Sequence, residues 1–282
     1  MEATSMRDEI AANLHLWENW SEMHMNGTDY DVEGFIANPD ARPFDWVIRD
    51  MIGDVAGKRL LHLQCHIGLD TARLALMGAV DVTGVDFSPK AIAGAEAIAE
   101  RLNLSATFVR ADVCALPDIV PREAFDVVFS SYGAIFWLPD LEPWAESVAT
   151  RLAPGGVLHL VDLHPFLSVF DDFALQPPLA VRYPYFSREP LHFVEHGSYA
   201  DRDADFEADS YAWQHTFEEI IGVLARRGLI VERLREYPAV AWKALEYLVE
   251  DEDGLWRLPE GAGDVPLMFG LTVRKSAGTL AP

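Results

Sequence analysis

The 282-residue sequence predicts an α/β fold, an open and mostly parallel sheet flanked by helices, with further segments laid over one edge. Three observations carry that expectation. Short apolar runs alternate with helical stripes along residues 57–164, the rhythm of repeated strand–helix–strand units. The first unit, Gly57 to Asp86, joins a tight loop to an acid that closes the next strand, which puts a helix N-terminus and a strand tip on one binding edge. Half the chain (50%) is apolar or aromatic, enough for one large core with insertions rather than two domains.

Taken in order, residues 8–25 predict a helix with Ile10, Leu14, Trp17 and Trp20 at helical spacing. Two readings stand for its tryptophans: a lid over the binding edge, or plain docking on the core. A linker with Gly34, Pro39 and Pro43 leads to a short helix before the first strand, Arg59–Leu63. The loop 64–68 and a helix over 69–77 follow, then a second strand ending on Asp86. Ser88 as N-cap and Pro89 at the first position start a helix that runs to Leu102. The third strand, ATFVRADV, is expected to close on Asp112, and the fourth runs from Phe125 to Gly133. A helix opening at Pro143-Trp144 stops at the Pro154-Gly155-Gly156 break, and the fifth strand, 157–163, delivers His164. From Pro165 to Gln214 alternating stretches rich in Phe, Tyr and Trp (179–186, 191–200 and 210–217) read as short antiparallel strands of an inserted cap. Thr216 then caps a helix that ends at Gly228 with Arg226 and Arg227 at its negative end. A sixth strand, a second insertion with Trp242, Tyr247 and Trp256, and a last strand over 266–275 complete the chain.

The wording HLQCHIGLDT followed by TGVDFSPKAI resembles the cofactor half of class I S-adenosylmethionine-dependent methyltransferases, and is similar to one small-molecule subgroup among them. The resemblance covers residues 57–164, including the LAPGG turn. It implies a Rossmann-like seven-stranded sheet, mostly parallel with the last strand antiparallel, and S-adenosylmethionine as cofactor. It also implies a helical lid over 1–56, a methyltransferase domain from 57–164 and 215–275, and a β-rich substrate cap over 165–214. Most members carry an acid and three alternating glycines where this chain has His62, Gln64, His66 and Gly68. Side chains at glycine places mean a differently held loop or a narrower pocket. By the resemblance Gln64, Cys65, His66 and Gly68 surround the methionine end, and Asp86, with Phe87 and Ser88, holds the ribose, a role the spacing supports on its own. Asp112 and Val113 meet the adenine, while Ser130 and Ser131 line the reaction centre. Trp20 belongs to the lid, since the subgroup has a Trp-rich N-terminal segment followed by YDVEGF. For Asp112 a second reading, a loop acid capping its own turn, stays open.

Methyl transfer from a sulfonium is an in-line displacement with an activated leaving group, so the protein supplies position, desolvation and, for an acidic nucleophile, a base. Tyr132, His164 and His215 are the candidate bases. A lone histidine is more often structural than catalytic, and His62 and His159 read as core residues. The expected acceptor is a small aromatic or heteroaromatic molecule under the cap. With 45 acids against 22 bases, a formal charge of −23, the chain is not expected to bind nucleic acid. The acidity reads either as a solubility trait or as attraction for cationic substrates. Cys65 and Cys114 fit no disulfide framework or metal-ligand spacing, which points to a reducing cytoplasm and no metal. No apolar run suits a signal peptide or membrane span. A monomer or homodimer is expected. Two rival functions stand: a cofactor-binding protein without catalysis, and a nicotinamide-dependent oxidoreductase, against which the glycine-poor loop speaks.

Overall fold

The computed structural model describes residues 6–27, 30–170, 175 and 179–277. The elements run α1 (Met6–Asn26), α2 (Val32–Ala37), α3 (Trp46–Ile52), β1 (Arg59–Leu63), α4 (Leu69–Leu76), β2 (Val80–Asp86), α5 (Pro89–Arg101), β3 (Ala106–Arg110) and β4 (Phe125–Ser131). They continue with α6 (Leu141–Arg151), β5 (Leu152–Leu163), β6 (Leu191–His196), β7 (Glu207–Ala212), α7 (Phe217–Arg226), β8 (Leu229–Tyr237), β9 (Val249–Glu250), β10 (Trp256–Arg257) and β11 (Met268–Lys275).

Seven strands form one Rossmann-like sheet in the order β3-β2-β1-β4-β5-β11-β8. β1 pairs in parallel with both β2 and β4, and β11 is antiparallel to β5 and β8. Chain order therefore reverses between β1 and β4, and open sheets bind ligands outside the strand ends at such a switch point. The central strands are apolar on both sides because both faces are covered. Val47, Ile48 and Met51 of α3, with Leu245 and Leu248, pack on one face, and Trp144 of α6 with Ile220 and Leu224 of α7 on the other. Ser88, Asp140 and Thr216 cap α5, α6 and α7 by accepting from Ala91, Glu142 and Glu219 N–H groups.

The structure departs from the sequence reading in three places. β3 stops at Arg110, and Asp112 lies beyond it in a turn where its Oδ1 accepts the Cys114 N–H at 2.8 Å. β5 begins at Leu152, since the chain re-enters the sheet opposite Phe125 before the Pro-Gly-Gly step, with Gly155 at φ 79°. Of the short antiparallel strands expected between 165 and 214, the described residues form one two-stranded sheet, β6 with β7, whereas 179–186 contributes a bridge from Val181 to Phe170. Pro184 lacks the N–H a ladder needs.

α1 lies against this hairpin. Asn13 reproduces a strand edge, its Nδ2 donating to Tyr211 O and its Oδ1 accepting Tyr211 N–H, both at 2.8 Å. Seven residues further along the helix, Trp20 Nε1 donates to Gly197 O at 2.7 Å beside the hairpin turn. No helix among the described residues is long and apolar enough to cross a membrane.

Candidate active site

The tips of β1, β2, β4 and β5 meet at the switch point. After β1 the chain must turn at once into α4, and it does so with Gln64 at φ 54°, His66 at φ 51° and Gly68 at φ 76°. These are the three places where the resemblance expects glycine, and each keeps the left-handed conformation. For the two non-glycine residues that costs about 1–2 kcal/mol apiece, strain of the kind that collects at ligand sites. Hydrogen bonds from Cys65 N–H to Val85 O and from His66 N–H to Asp86 Oδ2, both 2.9 Å, hold the turn. At Gly68 a Cβ would come within 2.6 Å of Ala95 Cβ, so here only glycine fits. Cys65 is buried, and burial first pushes its thiol well up, away from any nucleophilic role.

Asp86 ends β2 at 7% exposure. Its Oδ2 accepts from His66 and its Oδ1 from Ser88 N–H, each at 2.9 Å, with the Phe87 N–H alongside as a weaker third donor, so the carboxylate keeps acceptor capacity. Burial raises its pKa to about 6, with the backbone donors opposing the rise. Ser88 is fully buried as the cap of α5, and Phe87 is half-buried beside it. Val113 is buried and Asp112 exposed, with Asp112 Oδ1 accepting the Cys114 N–H of its own turn.

At the end of β4 Tyr132 (φ 56°) and Gly133 (φ 79°) repeat the left-handed geometry. The buried carboxylate of Asp162 fixes this second loop: it accepts from Gly133 (2.8 Å), Ala134 (2.9 Å), Ile135 (3.0 Å) and Leu163 (2.6 Å) N–H groups. Gln64 bolts the two loops together, its Nε2 donating to Ala134 O at 2.6 Å. The Tyr132 hydroxyl donates to Asp45, and burial first, then Asp45, raises its pKa well above the ordinary value. The phenol is thus held protonated. Ser131 is half-buried at the strand tip, and Ser130 is buried with its Oγ unpartnered among the described residues.

A roof of rings covers the β1–α4 loop. Trp17 makes edge contacts with Trp20, His66 and Trp137 at centroid distances of 5.2, 5.2 and 5.4 Å, and Tyr199 meets Trp20 at 5.3 Å. His24 on α1 joins three elements, with its Nδ1 at 2.8 Å from His66 Nε2 and its Nε2 at 3.2 Å from Ser198 Oγ. Burial lowers the His24 pKa to about 3 and holds His66 well below its ordinary value, so the pair is neutral. The Tyr30 and Tyr199 hydroxyls bond across the same seam. Trp20 itself has its indole N–H committed to Gly197.

His164 and His215 lie apart from this roof. His164 Nδ1 accepts the Phe166 N–H at 3.0 Å, which leaves the proton on Nε2, donated to Glu236 at 2.9 Å. His215 Nε2 donates to Leu138 O at 2.8 Å. Its Nδ1 sits 3.2 Å from a Glu219 carboxylate oxygen without hydrogen-bonding alignment, beside a cavity of about 20 Å³, room for one water. His62 bonds Thr71 at 2.8 Å and His159 bonds Thr272 at 3.2 Å, both buried. The sequence reading missed Asp162, Asp45, His24 and Tyr199. A buried acid at a strand end was the available signal for Asp162; the other three depend on partners distant in sequence.

Residues 60–156 match the family model described as a methyltransferase domain. A ribosomal protein L11 methyltransferase of Ralstonia pickettii (strain 12J) is 35% identical over 104 residues, 37% of this chain and 32% of that protein. A demethylmenaquinone methyltransferase of Thermus thermophilus is 35% identical over 121 residues, 41% of this chain and 52% of that protein. The chain thus spans about half or less of the curated relatives it matches. Among solved structures, an S-adenosylmethionine-dependent methyltransferase from Mesorhizobium loti superposes with a TM-score of 0.56 at 20% identity, over 86% of this chain and all (100%) of that one. Residues 60–156 thus carry a methyltransferase domain, and the fold is that of solved S-adenosylmethionine-dependent methyltransferases.

Proposed function

We propose that the protein transfers the methyl group of S-adenosylmethionine to a small, planar aromatic or heteroaromatic acceptor held under the ring roof. One observation carries this reading: beside Asp86, with acceptor capacity to spare, the loop keeps left-handed geometry at all three expected glycine positions, although two are side-chain residues. Two vicinal hydroxyls would find lone pairs on both Asp86 oxygens, so the residues present fit the cofactor. When bound, it supplies an activated methyl on a positive sulfur. The chain contributes position through 64–68 and Asp86, and exclusion of water through Trp17, Trp20, Trp137 and Tyr199. Tyr132, protonated and bonded to Asp45, serves as a relay: its oxygen receives a proton from the acceptor as its own passes to the carboxylate. His164 is a weaker base, its free lone pair already taken by a backbone N–H, and His215 acts only through Nδ1. In this reading 1–56 act as the lid and 165–214 as the substrate cap, in a cytoplasmic protein.

A non-catalytic binder is the second reading, favoured by the same commitment of the histidine nitrogens. Incubation with methyl-labelled S-adenosylmethionine and a metabolite extract separates the two. Label moving to an acceptor, and lost in Asp86→Ala, is the expected outcome. Cofactor binding without transfer would favour the binder, and a melting shift with nicotinamide dinucleotides alone would favour the oxidoreductase.

A further inference from the structure

We propose that the side-chain amide of Gln64 accepts the ammonium group of the cofactor's amino-acid end, an inference that rests on the cofactor reading above. Gln64 stands at the tip of β1 next to β4, where the sheet opens, and its backbone is left-handed at φ 54°. Its Nε2 donates to Ala134 O at 2.6 Å. That bond fixes the orientation of the amide, because the flipped form would set two oxygens against each other. The partner is itself immobilised, since Ala134 N–H is bound by the buried Asp162 carboxylate at 2.9 Å.

Gln64 Oε1 is left buried and without a partner among the described residues, and Ser130 Oγ on the neighbouring strand is in the same condition. Buried acceptors are rarely left unpaired, because nothing then replaces their lost hydration. An amide oxygen has lone pairs only, so the missing group must be a donor, and a carboxylate is repelled. The amino-acid end of an adenosyl-sulfonium cofactor carries one strong donor, its ammonium. His66, held neutral two residues away, adds no opposing charge. The side chain standing at a glycine position is therefore a contact and a selector, and not merely a filler of the loop.

Calorimetric titration tests this with S-adenosylhomocysteine and its deamino analogue, which differ only in the ammonium, against the wild type and Gln64→Met. The wild type should bind S-adenosylhomocysteine at least about tenfold more tightly than the analogue, and Gln64→Met should bind the two within about threefold of each other. Preference for the ammonium retained in Gln64→Met overturns the assignment, as does a wild type that binds both equally. A wild type that binds neither overturns the cofactor reading itself, and this inference with it. Gln64→Ala completes the same cycle should the methionine variant fail to fold.

Discussion

Two aspartates end neighbouring parts of the sheet and have opposite capacities. Asp86 at the tip of β2 and Asp162 near the tip of β5 are 7% and 1% exposed, and burial raises both to a pKa of about 6 against backbone donors. Asp162 accepts four N–H groups and is saturated, whereas Asp86 accepts two, one per oxygen, with the Phe87 N–H as a weaker third donor. A carboxylate offers about four acceptor sites, so only Asp86 has capacity left for a ligand. Burial and acidity alone do not distinguish a ligand-binding acid from a structural one. Spare hydrogen-bonding capacity is the property that sets Asp86 apart from Asp162.

The largest effect is expected from Asp162→Ala, which strands four N–H groups in a closed environment. At about 1–3 kcal/mol for each unsatisfied group, and without full additivity, stability should fall by about 3 kcal/mol or more, a drop on the order of 10 °C in a thermal melt. Asp86→Ala should melt closer to the wild type yet lose at least about tenfold in affinity for S-adenosylhomocysteine by calorimetry. If both variants behaved alike in melting and in binding, the division of labour between the two acids would be wrong.

The two functions of a buried carboxyl also respond oppositely to pH. With a folded value raised from 3.8 to about 6, each contributes stability that is complete below about 3.8 and lost as pH rises through about 6. Ligand hydroxyls favour the ionised Asp86, so affinity should instead weaken as pH falls below about 6, by up to about tenfold per unit, and Asp86→Asn should remove that slope. The smallest effect belongs to His66→Gly. Relief of left-handed strain opposes the loss of the His24 contact and the greater freedom of the unfolded chain, and the melting midpoint should move by no more than a few degrees.

The place of Asp86 at the end of β2 and the Ser88 cap were readable because their signals are local: strand periodicity, a cap and a proline lie within four residues of each other. The seven-stranded, mostly parallel sheet and its antiparallel last strand, β11, followed from the resemblance and are present. The left-handed Gln64 and His66 were not readable, since glycine is the usual sign of positive φ and the sequence withholds it. Asp162 looked like any acid at a strand end, because its donors at 133–135 lie 27–29 residues upstream. The roof is longer-ranged still: His24 meets Ser198 across 174 residues, and Tyr132 finds Asp45 across 87. Local pattern carried the strand–helix units and the place of Asp86, while side-chain commitments between distant segments set the rest of the candidate site.

The most direct test of the central claim is the pH dependence of S-adenosylhomocysteine binding, followed by calorimetry from pH 5 to 8 in the wild type and in Asp86→Asn. The account requires tight binding above pH ~6 that weakens progressively below it in the wild type, and weaker, pH-independent binding in the variant. Equal affinities in the two proteins across the whole range, with the variant folded, would contradict it and remove Asp86 from the cofactor site.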